Sequence, residues 1–179
     1  EISLVGSRLF KNTDQTLPLD KSKEAVTLWG LNSHLPGTGG LIGSSVVADS
    51  EDGQIAYGIE EAMDERGFTV NETMKGFYAS ETCAPYYRKA SFFGNEVPGH
   101  SLVPAFSASY NEADTYTVGE APAELYTDDI LESAKDTTAV VVLSRDSSEA
   151  SDYSTNMKDP NGDSFDTPMS ISAYEKEMI

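Results

Sequence analysis

Residues 139–152, AVVVLSRDSSEASD, join five consecutive apolar residues to a polar segment that contains Arg145, Glu149 and Asp152. The apolar run does not alternate with polar residues, so it predicts a short strand covered on both faces, as in a parallel sheet. In open α/β sheets, functional groups collect just past the carboxyl ends of the strands, where the loops form a crevice. Glu149 is therefore the first candidate for a chemical role, although most exposed glutamates in so acidic a chain are only solvated.

The chain before this strand predicts alternating strands and helices. Residues 25–29 form a first strand, residues 54–66 an amphipathic helix that Gly67 ends, and residues 68–70 a second strand. Strand, helix and strand at this spacing make a βαβ unit, whose strands are parallel. We expect the runs 26–29 and 140–143 to lie side by side, or nearly so, in one parallel sheet with the helix packed on a face.

Two further helices are predicted, from Thr73 to Ala90 with a break at Pro85, and from Thr127 or Asp128 to Ala134. A capping box at Ser172 opens a last helix, in which the chain stops. The fold class predicted is α/β, a flavodoxin-like parallel-sheet sandwich that is incomplete at its C-terminus. The first residue, glutamate rather than methionine, favours an excised fragment.

Composition limits the partners. Twelve basic and thirty acidic residues give a net charge of −18, which repels nucleic acid and anionic membranes. Cys83 is the single cysteine, and with His34 and His100 it cannot form a structural zinc site. We expect no cofactor, no metal, no nucleic acid and no membrane. The cytoplasm and the cell surface are both compatible with this composition.

Three other segments resemble known motifs only in part. The glycines of residues 30–45 follow a strand, but their spacing fits neither GxGxxG nor a Walker loop. Asp159, Asn161 and Asp163 match half of a calcium loop, but Ser164 stands where glycine belongs. Asn71 begins a glycosylation sequon, which matters only in a secreted eukaryotic chain.

Several segments, in order along the whole chain, resemble glycoside hydrolase family 3, in its C-terminal-type α/β sandwich domain. They are GSRLFKN (6–12), TLPL (16–19), VTLWG (26–30), VGEAP (118–122), YTD (126–128), AVVVLSR (139–145), SSEASD (147–152) and SAYEKEMI (172–179). The VGEAP and YTD segments look most like members in which this domain precedes the barrel.

The resemblance implies a retaining β-glycosidase, β-glucosidase-like, acting on a carbohydrate substrate. The chain, residues 1–179, would be one truncated sandwich domain, and the aspartate nucleophile would lie on a TIM barrel outside it. Glu149 would be the catalytic acid/base, and Arg145 and Asp152 would be substrate-binding residues. Since retention needs two carboxyls about 5–5.5 Å apart, the isolated chain should be inactive. Ser148 and Ala150 replace glycines of the family's loop, so the alternative is a non-catalytic carbohydrate-binding or assembly domain.

Overall fold

The computed structural model describes residues 12–13, 17–20, 25–34, 58–86, 90–92, 95–97, 116–117, 119–143, 145, 157–158 and 170–179. The strands are β1 (Ala25–Trp29), β2 (Thr69–Val70), β3 (Ala90–Phe92), β4 (Asn95–Val97), β5 (Tyr116–Thr117), β6 (Thr138–Val141) and β7 (Met157–Lys158). The α-helices are α1 (Leu31–His34), α2 (Ile59–Glu65), α3 (Glu72–Tyr78), α4 (Asp128–Ser133) and α5 (Ala173–Met178). Two 3₁₀ turns span Ala84–Tyr86 and Ala123–Leu125.

A three-stranded parallel sheet organises the fold, in the order β2-β1-β6. β1 is its central strand, with Val26 opposite Val70 on one side and Thr138 on the other. Val26, Thr27 and Leu28 are all buried, so both faces of β1 are covered. The predicted parallel pairing of residues 26–29 with the valine run is confirmed, and so is the α/β fold class.

The valine run itself is not covered on both faces, so that prediction is wrong. β6 pairs with β1 alone among the described strands, and its residues alternate between half-buried and exposed. Val141 is 42% exposed. Successive side chains of a strand point to opposite faces, and in the described part of the structure only one face of β6 is partly covered. The apolar run therefore predicted the strand correctly, but it did not predict how far the side chains of the strand are buried.

Helix boundaries differ from the sequence prediction in two places. α2 begins at Ile59, after extended backbone at Gly58, so the helix predicted from residue 54 is confirmed only in its second half; residues 51–57 lie outside the described chain. It ends as predicted, with Gly67 at φ +81°. α3 ends at Tyr78 and not near Ala90. The predicted continuation instead contains turns, the first closed by a 2.6 Å hydrogen bond from the Ser80 hydroxyl to the Phe77 carbonyl.

The hydrophobic core lies between α3, the segment 119–126 and the carboxyl end of β1. Its buried members are Leu31, Met74, Phe77, Tyr78, Cys83, Ala121 and Tyr126. The rings of Phe77 and Tyr126 lie 4.8 Å apart, and Trp29 stacks on Tyr126 at 5.9 Å. This packing brings the segment 119–126 to the end of the sheet.

Two further pairs of strands lie outside the three-stranded sheet. β3 and β4 form an antiparallel pair, and β5 pairs in parallel with β7, which follows β6 in the chain. The glycine-rich residues 35–45 and the segment 1–11 lie outside the described residues. α4 confirms the helix predicted after Thr127, and α5 confirms the capping box at Ser172, whose hydroxyl accepts from the Glu175 amide.

Gly30 and Gly76 offer a matched test of the packing at the end of β1. Gly30 has φ +94°, and a Cβ there would lie 2.8 Å from the Val142 carbonyl oxygen, whereas a Cβ at Gly76 would meet nothing within 4 Å. We expect Gly30→Ala to lower the free energy of unfolding by about 2 kcal/mol or more. Gly76→Ala, inside α3, should raise it by up to about 1 kcal/mol. Urea unfolding measures both, and equal effects would contradict the close approach at Gly30.

Candidate functional site

The carboxyl ends of β1 and β6 meet at one place. The Val142 amide donates to the Trp29 carbonyl, so the ladder between the two strands continues to the point where β1 turns at Gly30. α1 starts immediately after this turn, at Leu31. Polar side chains from the segment 119–126, α3 and α5 converge here, and they make this edge of the sheet the candidate functional site.

Glu120 is the central group of this edge. Its side chain has no exposed surface, and its carboxylate accepts hydrogen bonds from the Leu31 amide at 3.2 Å and the Ala121 amide at 2.8 Å. The Tyr126 hydroxyl donates a longer bond of 3.4 Å. Burial raises the pKa of Glu120 to about 7, the hydrogen bonds from Ala121 and Leu31 oppose the rise, and the charge of Glu175 adds to it.

Two buried tyrosines connect Glu120 to the backbone of the turn. The Gly30 amide donates to the Tyr78 hydroxyl oxygen at 2.7 Å, and the Tyr78 and Tyr126 hydroxyls lie 3.0 Å apart. Each hydroxyl has one proton to give, so the bond from Tyr126 to Glu120 leaves Tyr78 as the donor to Tyr126. Burial raises the pKa of both phenols, and they stay protonated. The result is a directed chain from Gly30 through both tyrosines to the carboxylate.

Arg145 lies just beyond β6 and makes the most extensive ion pair of the described residues. Its Nη1 and Nη2 donate to the two carboxylate oxygens of Glu175 at 2.7 and 2.6 Å, and Nη2 also donates to the Ser170 carbonyl at 2.7 Å. The side chain of Arg145 is 12% exposed and that of Glu175 is fully buried. Burial opposes the charge of Glu175, but the bonds from Arg145 outweigh it and lower the pKa.

Of the three residues predicted to form the site, the structure describes Arg145 alone. It lies at the carboxyl edge of the sheet, as the position after the valine run predicted. Glu149 and Asp152 fall outside the described residues, so the acid/base role of Glu149 and the sugar-binding roles of Arg145 and Asp152 stay predictions. The sequence analysis did not identify Glu120 as a site residue and included it only in the VGEAP segment. Its position between two small residues, Gly119 and Ala121, was the one feature of the sequence that could have indicated a buried carboxylate.

A second charged cluster, centred on Glu60, joins the helices α1, α2 and α3. Glu60 of α2 is nearly buried, and its carboxylate lies 3.3 Å from His34 Nδ1 and 3.5 Å from Lys75 Nζ. These contacts join α1, α2 and α3 through one carboxylate. Because every partner comes from a different helix, the cluster fixes the packing of these helices around the end of β1.

Asn71, the first residue of the sequon, is held inside the fold. Its side chain accepts from the amides of Thr73 and Met74 at the start of α3, and it donates to Thr27 Oγ1 and to the Ser133 carbonyl, both at 3.0 Å. It is thus a helix cap that also joins β1 to α4. An amide with these bonds cannot carry a glycan while the fold is intact.

No group of three histidine, cysteine, aspartate or glutamate residues suited to a metal ion occurs in the described part of the chain. Within the same residues, no helix is long and apolar enough to cross a membrane. No protein-family model, no curated protein and no solved structure matches the chain. The class that the fold defines is accordingly a parallel α/β protein with a polar, carboxylate-containing edge.

Glu120 should make stability depend on pH. Its folded-state pKa of about 7 lies above the ordinary 4.5, so the folded protein binds this proton more tightly than the unfolded chain. The resulting stabilisation is complete below pH about 4.5 and is lost as pH rises through 7, a change of roughly 3 kcal/mol. Unfolding of wild type and Glu120→Gln between pH 5 and 8 measures the difference. A wild-type curve no steeper than that of Glu120→Gln would refute the assignment.

The ion pair and the helix cap at Glu175 can be separated by substitution. Glu175→Gln keeps an acceptor for the Ser172 amide, which Glu175 now binds at 2.8 Å, but it leaves the Arg145 charge without its carboxylate. We expect it to lower the free energy of unfolding by about 3 kcal/mol. Ser172→Ala removes the cap and keeps the ion pair, and should lower it by about 1 kcal/mol. Glu132→Gln, in the exposed pair with Lys135, is the control, with an effect below about 0.5 kcal/mol.

Proposed function

We propose that this chain is the α/β sandwich domain of a retaining β-glycosidase, β-glucosidase-like, and that Glu149 is the acid/base of the complete enzyme. The partner is a TIM-barrel domain of the same protein that supplies the aspartate nucleophile. The sugar would bind between the two domains. The single observation that supports the proposal best is the ordered series of segments resembling glycoside hydrolase family 3, from residue 6 to residue 179.

The geometry of the sheet is compatible with this function. β6 lies beside β1 in a parallel sheet, and Arg145, four residues before Glu149, is held at its carboxyl edge. Loops at such an edge form the crevice of open α/β folds. Because Glu149 follows β6 closely in sequence, we expect it to face the second domain from this edge of the sheet.

The chemistry requires two carboxyl groups with different roles. In retaining hydrolysis one carboxylate attacks the anomeric carbon, while the other donates a proton to the leaving oxygen and later takes one from water. A proton donor must keep its proton near the working pH, which burial or the nearby negative nucleophile achieves by raising its pKa. Under the proposal, both influences come from the barrel, so the domain by itself supplies only half of the reaction.

The isolated 179-residue chain should accordingly not hydrolyse nitrophenyl β-glucoside, and should bind glucose or cellobiose weakly at most. Release of nitrophenol from the purified chain measures the first, and ligand-induced chemical-shift changes measure the second. Turnover by the isolated chain that Glu149→Ala removes would show that the second carboxyl lies within these residues, and the division between two domains would be wrong.

In the protein that joins this chain to the barrel, Glu149→Ala should slow cellobiose hydrolysis by about 100-fold or more, since a poor leaving group needs the proton. Aryl glycosides with activated leaving groups should lose less, and azide should restore part of their turnover by replacing the lost base. Glu132→Ala, an exposed position on α4, is the control. Cellobiose hydrolysis within a few-fold of wild type would place the acid elsewhere, and no activity in the wild type would favour a carbohydrate-binding or assembly domain.

A further inference from the structure

We propose that the docking of α5 on the turn after β1 depends on a proton, and that ionisation of Glu120 releases this helix. The release is a local opening, in which α5 leaves while β1 and α3 stay folded. It therefore differs from the loss of global stability expected for Glu120 at high pH. It does not depend on the proposed glycosidase function.

Glu120 and α5 meet at the same point of the fold, the turn at Gly30. A Cβ at Gly30 would lie 3.2 Å from Glu120 Oε2 and 3.6 Å from Met178 Sδ of α5. α5 also lies against the 3₁₀ turn Ala123–Leu125, which follows Glu120 closely in the chain. Since Glu120 has no exposed surface, α5 forms part of the layer that separates its carboxylate from solvent.

The helix α5 depends on its docking for stability. It has 6 residues, too few for a stable helix in isolation. Glu175 accepts two hydrogen bonds from Arg145, and the ring of Tyr174 lies 6.4 Å from that of Tyr86. Loss of these contacts would unfold α5 and expose its amides to solvent, so its docking can be followed by hydrogen exchange.

The elements packed around Glu120 bring several groups that can carry charge. They are Tyr78 of α3, Cys83 after α3, Tyr126 of the same segment, Glu175 of α5, Arg145 after β6 and His34 of α1. Burial raises the pKa of both phenols and raises that of the Cys83 thiol to about 11, so these three stay protonated near neutral pH. Arg145 pairs with Glu175, and His34 pairs with Glu60 of α2.

The docked helix and the proton on Glu120 favour each other. Burial raises the pKa of Glu120 to about 7, against the hydrogen bonds from Ala121 and Leu31, and the charge of Glu175 adds to the rise. Release of α5 removes that charge and admits water, so the released state binds the proton less tightly. Because the docked pKa lies above the ordinary 4.5, docking is favoured at low pH and is weakened as pH rises through 7.

Hydrogen exchange of the 179-residue chain at pH 6 and pH 8, corrected for the intrinsic effect of pH, tests the release. A pKa of about 7 in the docked state and the ordinary value in the released state predict about tenfold more frequent opening at pH 8. Peptides of 172–179 should lose protection by about this factor. Glu120→Gln, which cannot ionise, should keep their protection within about twofold. Glu124→Gln, at an exposed position of the same segment, is the control and should follow the wild type.

Low concentrations of urea separate this release from global unfolding. A local opening exposes little surface and responds weakly to urea, whereas exchange of β1 and α3 through global unfolding accelerates with urea. We therefore expect peptides of α5 to exchange faster than those of β1 and α3, and with a weaker response to urea. Equal protection and equal urea response in all three elements would overturn the local release.

A flat pH response of α5 in the wild type would overturn the role of the proton, and a wild-type response in Glu120→Gln would overturn the role of Glu120. If Glu120→Gln does not fold, Tyr126→Phe replaces it. This variant removes a donor that lowers the pKa of Glu120, so the pH above which α5 stops losing protection should move upward. No upward movement of that pH would contradict the assignment to Glu120.

Discussion

The burial of Glu120 against the turn that ends β1 is the interaction on which the rest of the described structure depends. A carboxylate without solvent is unfavourable unless several donors bind it, and here the donors come from the Leu31 and Ala121 amides and the Tyr126 hydroxyl. The Leu31 amide belongs to the turn, so Glu120 ties the segment 119–126 to the central strand. Gly30 has to be glycine because the Val142 carbonyl and the Glu120 carboxylate leave no room for a side chain.

Two buried carboxylates at one edge of a sheet are stable together because they differ in protonation. Glu175 is charged, since the Arg145 guanidinium and the Ser172 amide lower its pKa. Glu120 has no cation among its described partners, and its pKa rises to about 7. The two groups therefore give stability opposite pH dependences: the contribution of Glu120 fades as pH rises through 7, and that of Glu175 fades as pH falls below about 4.5. Between these limits the contribution of Glu175 is complete and that of Glu120 is partial.

Local pattern in the sequence predicted the strand at residues 25–29, a strand in the run 139–143, their parallel pairing, the end of α2 at Gly67 and the capping box at Ser172. These features depend on residue periodicity, glycine conformation and short-range hydrogen bonds, all of which are visible in adjacent residues. Only the tertiary structure decided that β6 keeps an exposed face, that α3 stops at Tyr78 and that Asn71 caps a helix inside the fold. It alone also showed that Glu120 is buried at the turn after β1, where it binds the amide of Leu31, 89 residues away in sequence, and that Arg145 pairs with Glu175. Burial and ion pairing depend on which distant segments come together, and no local pattern encodes that choice.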